Sequence, residues 1–183
     1  MVQDKNQNSE KENAVEQQNQ TADAELSFEG KTEEADKIIK NSVYGAAGVG
    51  LVPIPWVDFV GLTAIQIKML HSLSKVYGVE FSESRGKAVI TSLVSGYLPI
   101  ALVQPIASFI KSIPLVGQLT GAVTMSILGG ATTYAIGRVF NLHFAAGGTF
   151  WDLDANKMRA YFEEQFEEGK KVTSQARKKA TAA

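Results

Sequence analysis

A single charge, Lys111, interrupts the fifty residues between Lys87 and Arg138. Ala88–Ile110 is a charge-free run of 23 residues, and Ser112–Gly137 is another of 26. An α-helix rises about 1.5 Å per residue, so about 20 apolar residues cross the hydrocarbon core of a bilayer. Each run is long enough to span, and the short Lys111–Pro114 connection predicts a membrane-embedded helical hairpin. The lipid bilayer is therefore the first partner that the sequence predicts.

Charge divides the rest of the chain. Met1–Lys40 holds ten acidic and five basic residues, Asn41–Phe150 three and six, and Trp151–Ala183 six and seven. No segment is strongly basic, which argues against nucleic acid as a partner. The chain has no cysteine, which removes disulfides, thiolate catalysis and cysteine–metal sites. The polar N-terminus lacks the apolar core of a secretory signal, so insertion is expected to rely on the internal segments.

The predicted class is all-α. Residues 1–31 read as a disordered, polar, acidic tail, because they hold too little apolar surface to offset the entropy of ordering. Residues 32–169 form the helical domain, opened by Thr32 as a cap with Glu33, Glu34 and Asp36 in the first turn. That first helix passes through Ile38, Ile39 and Val43 into a glycine cluster and stops at Pro53-Ile-Pro55. The cluster fits no phosphate-loop pattern and reads as a close-packing face built on Gly45, Gly48 and Gly50.

Trp56–Tyr77 is the next predicted helix, ended by Gly78. Lys68, His71, Ser72 and Lys75 share one side of it, opposite Leu62, Ile65, Met69, Leu73 and Val76. That stripe suits either a membrane surface or the solvent face of a bundle helix. Asp58 is an acid among Trp56, Val57, Phe59 and Val60, and is a candidate intramembrane polar residue or a cap. Ser82 with Glu83 opens the helix that enters the first long run, where Pro99 and Pro105 lie and Gln104 is a second candidate polar residue. The second run carries a third, Gln118. It also carries small-residue packing positions at Gly117, Gly121, Gly129 and Gly130, with Ser126–Gly130 repeating the spacing. Such faces predict close helix neighbours, in the same chain or in a homo-oligomer.

Arg85, Lys87 and Arg138 flank the open end of the hairpin and Lys111 its tip, which predicts both termini on the cytoplasmic side. After the break at Gly147-Gly148, Asp154 is predicted to cap an amphipathic helix with Met158, Tyr161, Phe162 and Phe166 on one face. Asp152 and Asp154 both read as caps. Residues 170–183 read as a flexible basic tail.

No catalytic or metal-binding pattern stands out. His71 and His143 have no partner histidine at metal-ligand spacing, and no serine sits in a nucleophile motif. The reading is non-enzymatic, with no cofactor.

Several separated stretches resemble one bacterial family, domain of unknown function 697. They are Pro53-Ile-Pro55 with Asp58, Thr63-Ala-Ile-Gln66 with Lys68-Met-Leu, the YGVEFSE loop, Thr133-Tyr-Ala-Ile-Gly137, and His143-Phe with Gly147-Gly148-Thr149. The resemblance covers about residues 34–170. It implies a bacterial membrane-associated helical domain, found alone or joined to small GTPases related to Ras or Era. This chain has no Walker A motif of its own. The leading expectation is thus an assembly or docking protein of the bacterial inner membrane, partnered by a separately encoded small GTPase. The alternative is a homo-oligomeric channel or transporter component lined by Gln104, Gln118, Thr120, Thr124, Thr132 and Thr133. A third reading is a peripheral protein whose apolar helices form a bundle.

Overall fold

The computed structural model describes residues 27–47, 55–109 and 117–181, with side chains described for 27–47, 61–97 and 126–178. These residues form five helices and no strand: α1 (residues 27–47), α2 (Pro55–Tyr77), α3 (Glu83–Phe109), α4 (Gly117–Ala145) and α5 (Arg159–Thr181). Two compact units divide the chain, residues 1–34 and residues 35–183. In the first, 27–34 are helical, and the Thr32 hydroxyl donates to the Phe28 carbonyl at 3.0 Å. Thr32 therefore sits inside a helix already formed, where its hydroxyl bonds back by one turn. The expected cap at Thr32 is corrected accordingly.

In the second unit, α4 is the centre. Ser126, Gly130–Thr133, Ala135–Gly137, Val139–Asn141 and Phe144 are all buried. A helix apolar on every side belongs in the middle of a core, and the neighbours that enclose this one are visible. Residues 35–47 of α1 bury Ala35, Ile39, Val43, Ala46 and Ala47, a 3.6-residue stripe. α2 buries Met69, Leu70 and Leu73, and leaves Lys68, His71 and Lys75 exposed. α5 buries Phe162, Phe166, Gly169 and Thr173, also one stripe.

Part of each long apolar run is thus spent inside the protein. In the second run, Ser126–Gly137 is enclosed by α1, α2 and α5. In the first, Val89, Ile90 and Leu93 are buried, while Ala88, Thr91, Ser92 and Ser95 are exposed. Small and hydroxyl-bearing side chains give α3 a polar face without charges. Among the described residues no helix is long and apolar enough to cross a membrane. Over its described side chains α3 packs on α2 and α5. It starts beside α2, where Gly86 faces Leu70, and by Tyr97 it has reached Phe162 and Phe166 of α5. Among the described residues of α2 to α5, the α4–α5 pairing is the most extensive.

Helix ends follow local chemistry. Gly78 (φ +68°) closes α2, with the Val79 N–H bonded to the Ser74 carbonyl and the Gly78 N–H to that of Lys75. Gly147 (φ +84°) closes α4 in the same way through Phe144 and His143. Both are left-handed glycine caps that satisfy the last carbonyls. α5 continues to Thr181, through most of the stretch 170–183. Val172 and Thr173 extend the apolar stripe, and no glycine or proline follows Gly169 to stop the helix. Asp154 opens the turn that precedes α5, accepting from the Asn156 N–H at 2.9 Å.

Candidate functional site

The turn after α2 and the loop after α4 meet at one end of the bundle. Phe81 lies against Phe150 at 5.6 Å between ring centroids, and Phe150 against Phe144 at 5.1 Å and Phe140 at 5.5 Å. Phe81–Phe150 and Phe144–Phe150 pack edge to face, which adds to simple burial. The Tyr77 hydroxyl donates to Asn141 Oδ1 at 2.6 Å and ties α2 to α4 just beneath.

On this base the loop Ala146–Leu153 is held by one carboxylate. Asp152 Oδ1 accepts from the Thr149 N–H and the Thr149 hydroxyl, each at 2.6 Å. His143 Nε2 lies 2.9 Å from the Thr149 carbonyl and 3.3 Å from Asp152 Oδ1. Both neighbours are acceptors, so Nε2 is the nitrogen that carries the proton. The two bonds from Thr149 hold the Asp152 carboxyl well below the usual carboxylate range. The Thr149 hydroxyl points its proton at a weak base rather than at the imidazole. The trio is therefore wired as a staple, and lacks the nucleophile-to-base hydrogen bond of an activated hydroxyl.

What the staple presents is Trp151, 63 % exposed. The Arg85 guanidinium lies 4.6 Å from the centre of its ring and is 3.5 Å from its carbonyl oxygen. Leu142, in the last turn of α4, is 47 % exposed. An exposed tryptophan braced by an arginine is of the composition found where proteins dock. Among the described residues no group of three or more histidines or carboxylates is arranged to hold a metal.

The residues singled out from sequence fall elsewhere. Gly129 faces Leu62 of α2, with Leu62 Cδ1 3.6 Å from where a Cβ would be. Gly130 faces Thr173 of α5, where an added Cβ would meet Cγ2 at 2.5 Å. Gly45 is exposed, and among the described residues Ile65 lies 3.7 Å from such a Cβ. Gly117 and Gly121 lie in α4, Gln118 in α4, Asp58 in α2 and Gln104 in α3, but their side chains are outside the described residues, as are Gly48 and Gly50 altogether. Arg138 pairs with Asp36 of α1 at 2.7 Å, so a cation counted toward membrane orientation serves to pin α1 on α4. The sequence reading passed over Gly169, whose added Cβ would sit 2.9 Å from the Cα and carbonyl oxygen of Ala131, and over the Arg85–Trp151 pair. The spacing Thr149-Phe-Trp-Asp152 after a double glycine was the available signal for the staple.

Fold and site define an all-α domain, a helix-centred bundle with a stapled aromatic loop at one end. The chain belongs to the family described as domain of unknown function (DUF697), whose model matches residues 15–171. It is 43 % identical over 151 residues to magnetosome membrane protein 22 of Magnetospirillum gryphiswaldense, an alignment covering 81 % of this chain and 77 % of that one. No solved structure matches it.

Proposed function

We propose that this protein is a membrane-associated, non-catalytic docking module of the bacterial inner membrane. The observation that carries the reading is the 43 % identity, over most of both chains, to a protein named for a membrane. The apolar stretches 48–60 and 98–125, each with a single charge, supply the surface that such an association would use. A protein partner docks on the exposed Trp151, Arg85 and Leu142. The family's occurrence joined to small GTPases makes a separately encoded GTPase the partner of choice. Self-association through small-residue faces is compatible with this and is part of the proposal. Conduction is less well supported. Thr132 and Thr133 would line a polar path, yet their hydroxyls donate to the Leu128 and Gly129 carbonyls, and Thr133 also accepts from Gln66.

Extraction of native membranes tests the reading. The protein is expected to sediment with membranes, to resist alkaline carbonate and to be released by mild detergent. Recovery in the carbonate supernatant would overturn an embedded association. Crosslinking before solubilisation then tests docking. A stoichiometric partner is expected with the natural chain and is expected to be lost with Trp151→Ala, since a buried tryptophan hot spot contributes about 2 kcal/mol or more, about thirty-fold in affinity. An unchanged partner would move the docking site elsewhere.

A further inference from the structure

Arg85 is an exposed cation held in place from two sides. Its neighbour Gly86 is buried, with Leu70 and Phe150 at 3.3 and 3.4 Å from where a Cβ would be, so the start of α3 is seated on α2 and on the base of the loop. The guanidinium itself lies 4.6 Å from the centre of the Trp151 ring and reaches the Trp151 carbonyl at 3.5 Å. A guanidinium carries five N–H donors. Among the described residues no carboxylate stands within ion-pair distance of this one. Lys87, two residues along, is by contrast already paired with Glu83 at 2.6 Å.

α2 adds open cations on the same flank. The ring of exposed His71 lies 4.7 Å from Phe81, which packs on Phe150 at 5.6 Å. Lys68 and Lys75, three residues before and four after His71, share its face of the helix. Both are exposed, and among the described residues neither has an ion pair. The surface is nevertheless not uniformly positive. Glu80 and Glu83 are exposed around the start of α3, and Asp152 and Asp154 in the loop. A plane of phosphates would meet those carboxylates as like charges, whereas a peptide places its charges one by one.

We propose that Arg85 determines the specificity of docking: it takes a carboxylate from an acidic segment of a protein partner, while Trp151 receives the apolar side chain beside that carboxylate. The inference rests on the docking reading above and adds the chemistry of the partner. A guanidinium offers two parallel N–H groups to a carboxylate and can keep a face on an aromatic ring as it does so; an ammonium lacks that fork. Trp151 braces Arg85, and the Asp152 staple holds the Trp151 loop, so both groups are ordered before the partner arrives and less entropy is lost on binding. Lys68 and Lys75 attract the acidic segment as solvated charges and contribute less.

The test uses the full chain, a random peptide library displayed on phage, and then the synthetic peptide that the library yields. Peptides in which Asp or Glu adjoins a large apolar residue are expected to be enriched. W56F leaves Trp151 as the chain's single tryptophan, and its emission reports binding of the synthetic peptide. In that background R85Q is expected to bind about tenfold more weakly, R85K to recover part of the loss, and K68Q/K75Q to lose about twofold. The same peptide with Gln in place of its acidic residue is expected to bind equally with and without R85Q. That equality separates a carboxylate contact from a loop disturbed by the substitution. Circular dichroism confirms that each variant is folded. Enrichment of peptides without carboxylates, no enrichment, or an R85Q loss as large for the Gln peptide would overturn the proposal. So would binding of phosphatidylcholine–phosphatidylglycerol vesicles that is abolished by R85Q, which would assign Arg85 to lipid phosphate. Selected peptides that need Trp151 but no carboxylate sink this inference alone, whereas selection untouched by Trp151→Ala sinks the docking reading with it.

Discussion

Asp152 receives both the hydroxyl and the backbone N–H of Thr149, and those bonds, the hydroxyl first, keep its carboxyl ionised well into acid. A carboxylate whose folded pKa is depressed adds stability that is present above the ordinary value, about 4, and is lost as pH falls below it. The emission of Trp151 in W56F is therefore expected to stay constant from neutral pH to about 5 and to change only in stronger acid. In Asp152→Asn the loop signal should already be altered at neutral pH, with no acid step. An acid step that survives the substitution would remove Asp152 from this role. Gln66 and Thr133 offer a second case. Gln66 is 3 % exposed and donates to the Thr133 hydroxyl at 3.3 Å. Thr133→Val strands the amide and should cost about 1–3 kcal/mol in urea denaturation, with Q66L/T133V closer to the natural chain. The aspartates were legible as caps from their residue type and from the glycines before them. Their partners were not, and neither was the Gln66–Thr133 pair, because a contact across 67 positions leaves no local pattern.

At the scale of elements, the seam between α4 and α5 is set by small residues on both sides. A methyl group at Gly169 would lie 2.9 Å from the backbone of Ala131, which cannot rotate away, so the two helices would have to part. Gly169→Ala should therefore destabilise by about 1–3 kcal/mol, read as a lower denaturation midpoint. Gly45→Ala is the contrast: the site is an exposed helix position with ordinary contact to Ile65, so the same change should be neutral or stabilise by up to about 1 kcal/mol. Equal effects at the two sites would refute the packing account. Ser126–Gly130 was visible in the sequence as a small-residue spacing within an apolar helix. Gly169 was hidden because its surroundings, Phe-Glu-Glu-Gly-Lys-Lys, read as a charged surface. The helix limits at Gly78 and Gly147 were legible, since left-handed caps nearly require glycine.

For the whole molecule, α4 gives the lesson its scale. A run of uncharged residues reports only that water is absent along it, and a bilayer and a protein core exclude water alike. The sequence by itself determined the all-helical class, the ends of α2 and α4 and the aromatic face of α5, because each depends on residue type at fixed local spacing. It also determined that the middle of the chain must leave water. Tertiary structure alone decided what replaces the water over Ser126–Gly137, namely α1, α2 and α5. It likewise decided that α3, over its described side chains, packs on α2 at Gly86 and on α5 at Tyr97. The physical reason is that burial is a property of neighbours: side-chain chemistry states that a face must be covered, and only the packing of distant helices states by what.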